Sequence, residues 1–380
     1  MIYDAVVVGA GPAGASAAYV LARAGFRVAV AERDAFPRDK LCGGGLTGRA
    51  RKVYDSLFPA PWDAVIDCVS GGLHFYRDGQ YVNGVDDYRP IHLTMRVNFD
   101  AFLMDFAIGA GAEFIQQNAV AEIAADRGGL LLRDGRRLGA RCIVGADGAN
   151  SRVAAAVLQQ VSDIDEFALG MEIELPKALF PREVAAPEVH FGCVEWGYGW
   201  VFPKKDTLTI GIGGLRSKNP DMRPLFEAFL RQTCGFLPDI RPRGHHFPYG
   251  NYPAEPGVAN VLLVGDAAGL VEPLTGEGLA YAMQSGKLAG EAIVEALREG
   301  RPETALQRYL PGYRSITSDI DKARWMRALI FSPLTQGIFF RALKERQGMI
   351  RRYCDLTAAE RDYPTWRETL GSLMRWIWRR

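Results

Sequence analysis

The sequence predicts an α/β protein with a Rossmann-type nucleotide-binding domain, a discontinuous antiparallel-sheet domain and a helical C-terminal region. Three observations predict it. A buried strand at residues 3–8 runs straight into Gly9-Ala10-Gly11-Pro12-Ala13-Gly14 and a helix, and a second strand ends in Glu32, eighteen residues after Gly14. Strands at 142–145 and 261–264 each run into an acidic turn, Ala146-Asp147-Gly148 and Gly265-Asp266. The stretches between them alternate or are rich in aromatics, and the chain beyond 302 is helical in pattern.

The opening unit has the spacing an ADP-ribose cradle needs. Gly9 permits the tight turn, Gly11 lets the backbone approach a pyrophosphate, and Gly14 lets the helix pack on the strand. The helix N-terminus, entered through Pro12 and Ala13, offers free N–H groups and positive potential to phosphate. Glu32 is placed to accept hydrogen bonds from ribose hydroxyls, with Arg33 beside it. This motif alone does not separate FAD from NAD.

The later segments do. Residues 142–153 form a strand, an Asp-Gly turn and a short helix; residues 261–269 form a strand ending in Gly-Asp; and Pro273-Leu274-Thr275-Gly276-Glu277-Gly278 leads into a helix from Leu279 to about Arg298. In these the chain resembles the group of flavoproteins that includes para-hydroxybenzoate hydroxylase. The resemblance implies a Rossmann-type FAD-binding domain. It sets Asp147 and Gly148 near the cofactor, Gly265 and Asp266 on the ribityl hydroxyls, and the helix after Gly278 with its N-terminus at the isoalloxazine. For Asp147 and Asp266 the alternative is a turn-forming role.

Within that group, Pro37-Arg38-Asp39-Lys40-Leu41-Cys42-Gly43-Gly44-Gly45-Leu46 is similar to the segment after the second strand in geranylgeranyl reductases. Tyr198-Gly199-Trp200-Val201-Phe202-Pro203-Lys204 is similar to that family's aromatic strand. The match covers roughly residues 3 to 290. It implies reduction of isolated C=C bonds in isoprenoid chains by reduced flavin, with the substrate open among a diphosphate, a pigment tail, a lipid and a quinone tail.

Composition narrows the class. At 380 residues the chain suits about two domains, and a net charge of +1 gives no case for nucleic-acid binding. The six cysteines show no C-x-x-C spacing, so neither a metal site nor a disulfide framework is expected. The first strand begins too close to Met1 for a signal peptide, and no apolar run is long enough to span a membrane. A cytoplasmic protein, soluble or peripheral on the membrane face, is expected. Residues 341–380 hold ten Lys/Arg against five Asp/Glu, and residues 366–380 place Trp366, Leu370, Leu373, Met374 and Ile377 on one helical face. That composition fits an interfacial amphipathic helix, or equally a helix docked on the core.

The expected organisation is an FAD-binding domain from residues 1–65, 96–155 and 256–300, a substrate domain from 66–95 and 156–255, and a helical region over 301–380. Asp78-Gly79 marks a hairpin turn; 167–175, 188–193, 199–202 and 207–213 are strands; 221–234 is a helix; Pro333 and Pro364 interrupt the C-terminal helices. Gly211-Ile212-Gly213-Gly214 is a strand end, not a second dinucleotide motif. NAD(P)H, or a ferredoxin-like donor, would therefore visit the flavin transiently.

A flavin reductase needs a hydride from the cofactor and a proton for the second carbon. Gly276 and Gly278 allow a helix N-terminus to come close to the flavin and stabilise its reduced anion. The proton donor is open. Cys42 and Gly43 stand where the resemblance sets the flavin, and Cys42 is an acid, a substrate contact, a redox modulator or a small buried hydrophobe. Tyr198 and Trp200 line a substrate tunnel, with Tyr198 a possible donor, or form an ordinary half-buried strand face. Arg96 resembles a cofactor-contacting arginine, or is an exposed salt-bridging one. His190, His245 and His246 read as structural; Lys204, Lys205 and Arg243 read as diphosphate anchors or solvated surface. The alternatives to an isoprenoid reductase are an aromatic monooxygenase and, with no clear motif pair, a flavin halogenase, both working through a flavin hydroperoxide. A non-catalytic flavin-binding protein is the remaining class.

Overall fold

The computed structural model describes residues 2–124, 129–158, 166–364 and 368. Its centre is an eight-stranded sheet. The opening strand Ile2–Val8 lies between Val28–Ala31 and Arg137–Gly145, all parallel, with Val6 facing Ala29 and Ile143. Glu113–Ile115 extends one side and Val261–Leu263 the other, again in parallel. These strands are almost continuously apolar because they are buried on both faces. Pro12–Arg23 packs against Leu279–Arg298 so closely that a Cβ at Gly286 would stand 2.1 Å from the Ala13 carbonyl oxygen.

The second layer is a seven-stranded sheet in the order Arg243–Phe247, Ala168–Pro176, Thr207–Leu215, Gly197–Pro203, Glu188–Phe191, Leu73–Arg77, Gln80–Val85. Pairing is antiparallel except between Glu188–Phe191 and Leu73–Arg77. Asp78 and Gly79, at φ 50° and 78°, make the expected two-residue hairpin turn. Helix Met222–Cys234 covers this sheet with Phe226, Phe229 and Leu230. The Gly211–Gly214 run lies inside the strand Thr207–Leu215, and a small three-stranded sheet (Gly45–Leu46, Ile91–Leu93, Cys68–Ser70) bridges the two layers.

The C-terminal part is helical: Ala305–Phe331, Gln336–Glu345 and Gln347–Thr357. The break at Pro333 is one of the two the sequence signals; Pro364 lies beyond the last of these helices, and a further break falls at Arg346, which the sequence reading did not mark. These helices bury Ile330, Leu343 and Ile350 against Phe75 and Phe191 of the seven-stranded sheet. The amphipathic helix expected over 366–380 lies outside the described residues apart from Glu368. Among the described residues no helix is long and apolar enough to cross a membrane, and no cluster of metal-ligating side chains occurs.

Candidate active site

The cradle is built by backbone packing that only glycine permits at two of its three positions. Gly9 has φ +100°, and a Cβ there would meet the Ala146 carbonyl oxygen at 2.4 Å; one at Gly14 would meet the Gly9 oxygen at 1.9 Å. At Gly11, the N-cap of Pro12–Arg23, a Cβ would meet only Arg38 Nη2 at 3.7 Å, which leaves the approach open for a ligand. Glu32 is buried and accepts the Ala10 N–H (2.8 Å) and the Asp34 N–H (3.1 Å), each oxygen keeping a lone pair. Arg33 is exposed and paired with Asp34. Ala13 packs against Gly265, whose N–H donates to Ser285 Oγ at 2.9 Å.

Asp147 is held by local bonds. Its carboxylate accepts from Ser151 Oγ (2.5 Å), Arg152 N (2.7 Å) and Val153 N (3.3 Å), capping the short helix Arg152–Val157, while its Cα lies against Gly9. Burial pushes its pKa up against those bonds. The turn-forming alternative thus accounts for the Asp147 side chain. Gly148 follows at φ +82°. Asp266 differs: it is partly open and faces Lys40 Nζ at 3.5 Å.

Ten of the sequence-derived site residues meet at one cavity of about 260 Å³: Pro12, Cys42, Gly43, Arg96, Tyr198, Trp200, Asp266, Gly276, Gly278 and Leu279. Gly9, Gly11, Ala13, Gly14, Glu32, Arg33, Asp147, Gly148 and Gly265 do not line it; most of these belong to the cradle side. The Tyr198 hydroxyl donates to the Thr275 carbonyl, and burial holds the phenol well above its ordinary pKa. Trp200 lies over Gly211, where a Cβ would stand 2.3 Å from its ring, and its Nε1 is buried without a partner. The glycines of 211–214 are there in part to clear this indole.

Arg96 corrects the exposed alternative. It is buried and bonds Asp100 through both Nε and Nη2 at 2.6 Å, and Asp100 also meets Arg38 at 2.9 Å. Burial would lower the Arg96 guanidinium, but Asp100 and Cys42 hold it above its usual value. Two guanidiniums on one carboxylate leave a net positive charge beside the cradle.

Lys204 is neither a diphosphate anchor nor solvated surface: it is 2% exposed and donates to the carbonyls of Gly43 (2.6 Å) and Thr94 (3.0 Å). Lys205 is exposed, and Arg243 pairs with Asp39. His190 stacks on Tyr76 and bonds Glu188, a structural role. His245, expected to be structural as well, lines the cavity with Nε2 unpartnered, and burial together with Lys40 lowers its pKa to about 4. Glu277 also lines the cavity, held by Thr47 Oγ1 and by Arg49 at 3.2 Å. Its signal lay inside the 273–278 motif, read only for its glycines.

These residues fit an FAD: an open glycine at a helix N-terminus, an excess cation beside it, and an indole N–H with no protein partner. Gly11, Glu32 and Arg38 would hold the ADP half, Asp266 the ribityl chain, and Gly276–Gly278 the ring end. The fold and cradle define an FAD-dependent oxidoreductase. The chain matches the FAD binding domain family over residues 3–175 and the tryptophan halogenase family over 92–348. It is 34% identical to menaquinone reductase of Mycolicibacterium smegmatis, with 76% of each chain covered, and 32% identical to geranylgeranyl diphosphate reductase of Rhodobacter capsulatus, covering 80% of this chain and 78% of the relative. A geranylgeranyl bacteriochlorophyll reductase-like protein of Thermoplasma acidophilum shares the fold at TM-score 0.81 and 19% identity, over 98% of this chain and 99% of that one. The chain belongs to the geranylgeranyl reductase family of FAD-dependent oxidoreductases, within a superfamily that also includes the halogenases.

Proposed function

We propose that the protein saturates C=C bonds of an isoprenoid, geranylgeranyl-type chain. The observation that carries this reading is the cavity, which is lined both by the helix N-terminus at Gly276–Gly278 and by apolar side chains such as Leu73, Ile91, Leu93 and Val189. An apolar wall with few polar anchors suits a hydrocarbon. The similarity to reductases named for geranylgeranyl diphosphate and menaquinone supports the same substrate class. Bound FAD, reduced by NAD(P)H or a ferredoxin-like donor, supplies hydride at N5. The N–H groups around Gly278 favour negative charge on the ring, and Arg96 with Arg38 adds positive potential. Tyr198 and Trp200 bring polar atoms to the apolar part of the lining. Tyr198, already donating to Thr275 and raised in pKa, is a poorer acid than an ordinary phenol, so Cys42 and solvent are the better-placed proton sources.

In this reading residues 1–65, 96–155 and 256–300 serve the cofactor, 66–95 and 156–255 the substrate, and the helical region 301–380 closes the cavity through Tyr353, Thr357 and Ala358. The segment 366–380 attaches the protein to the cytoplasmic membrane face. The match to tryptophan halogenases favours a second reading, an oxygen-dependent halogenation or hydroxylation. One experiment separates them. Holoenzyme reduced with dithionite under strict anaerobiosis and given geranylgeranyl diphosphate should reoxidise its flavin and return a product two hydrogens heavier. A product that forms only with oxygen, carrying a hydroxyl or halogen, would overturn the reductase reading.

A further inference from the structure

Two buried ionisable side chains outside the cavity lining grip the same stretch of its wall. Glu172, on the strand Ala168–Pro176, is 1% exposed, and its Oε1 accepts the Cys42 N–H at 2.8 Å. Lys204, just after Gly197–Pro203, reaches in from the neighbouring part of the sheet to the Gly43 carbonyl. Gly44 admits the amine: at φ +71°, a Cβ there would stand 2.5 Å from Nζ. All four backbone torsions of Cys42 and Gly43 lie between the two gripped atoms.

Such side chains are costly inside a protein, and packing alone is served as well by apolar residues of similar volume. Here both are committed to backbone groups. Both hydrogen bonds recorded for Lys204 go to carbonyls, and the second oxygen of Glu172 is buried with no hydrogen-bond partner. The charged groups facing them are Glu174, Arg243, Asp67 and each other, together with the Cys42 thiol. Burial pushes the Glu172 carboxyl up to about 7 and the Lys204 amine down. An acceptor on the N–H side and a donor on the C=O side also polarise the segment in the same sense.

We propose that Glu172 and Lys204 are positioning residues that fix where the Cys42 thiol and the Gly43 peptide stand on the cavity wall. Their effect on turnover rests on the reductase reading; the positioning itself does not. Glu172→Leu and Lys204→Met remove one grip each, whereas Glu172→Gln keeps the acceptor oxygen. In holoenzyme, the rate at which iodoacetamide alkylates Cys42, measured by peptide mass spectrometry against half-buried Cys68, should change in the first two variants and return close to wild type in Glu172→Gln. In the anaerobic assay, kcat should fall about 10–10²-fold, as expected for a displaced reacting group, with KM much less affected. If Lys204→Met loses its FAD, Lys204→Gln, still a donor but shorter, carries the comparison. An alkylation ratio unmoved in variants that keep FAD, or Glu172→Gln as altered as Glu172→Leu, would overturn the proposal. A shifted ratio in a protein that reduces no isoprenoid would instead overturn the function.

Discussion

Glu32 shows how one side chain serves two partners. It already holds the N–H groups of Ala10 and Asp34, and its free lone pairs face the cradle. Glu32→Ala should cost FAD binding about 1.5–3 kcal/mol, the worth of charge-assisted hydrogen bonds. The measurement is flavin absorbance retained after dialysis, with the melting temperature of the apo form recorded alongside to separate cradle damage from lost ribose contacts. Occupancy equal to wild type would remove Glu32 from the cofactor set. The glycines and the acid of this cradle were legible because backbone sterics tie them to fixed spacings. Glu172 was not, since a single glutamate on a strand carries no pattern, and the sequence marked Lys204 only as an anchor or surface residue; what makes both unusual is bonding to backbone more than a hundred residues away.

Among the elements, the helix Leu279–Arg298 has a demanding fit. Gly286 and Gly290 let it close on Pro12–Arg23, with a Cβ at Gly290 reaching 2.9 Å from Val20. Gly286→Val should therefore force the two helices apart, at about 1–3 kcal/mol or more for overpacking, and move the Gly276–Gly278 end that faces the cavity. Gly337, on Gln336–Glu345, has nothing within 4 Å of its Cβ position, so Gly337→Ala should raise stability by roughly 0.5–1 kcal/mol. Thermal melts of the two variants should shift in opposite directions, and only Gly286→Val should lose FAD. Periodicity revealed this helix and five of the seven strands of the second sheet to within one or two residues, and stopped Gln80–Val85 three residues early. It missed the strand Arg243–Phe247 and the helix Gly48–Leu57: the first is polar and edge-placed, and the second is strongly charged with few apolar anchors.

At the scale of the whole molecule, the C-terminal helices roof the cavity. Tyr353, Thr357 and Ala358 line it, and Gly48 fits directly against the Ala358 carbonyl. Among the described residues the last to line the cavity is Ala358, so deleting 366–380 should leave FAD bound while abolishing sedimentation with anionic liposomes. An insoluble or flavin-free product would show that the segment belongs to the core instead.

The strand order has a consequence for how the protein is made. Ile2–Val8 begins the cradle, but Val261–Leu263 and the helix Leu279–Arg298, which closes on it, come about 250–290 residues later. At ribosomal speeds of about 5–20 residues per second, the nascent chain spends roughly 15–60 s with its central strand made and its nucleotide pocket unfinished. Cofactor loading thus follows synthesis of Leu279–Arg298, and until then the growing polypeptide gains no stability from bound flavin.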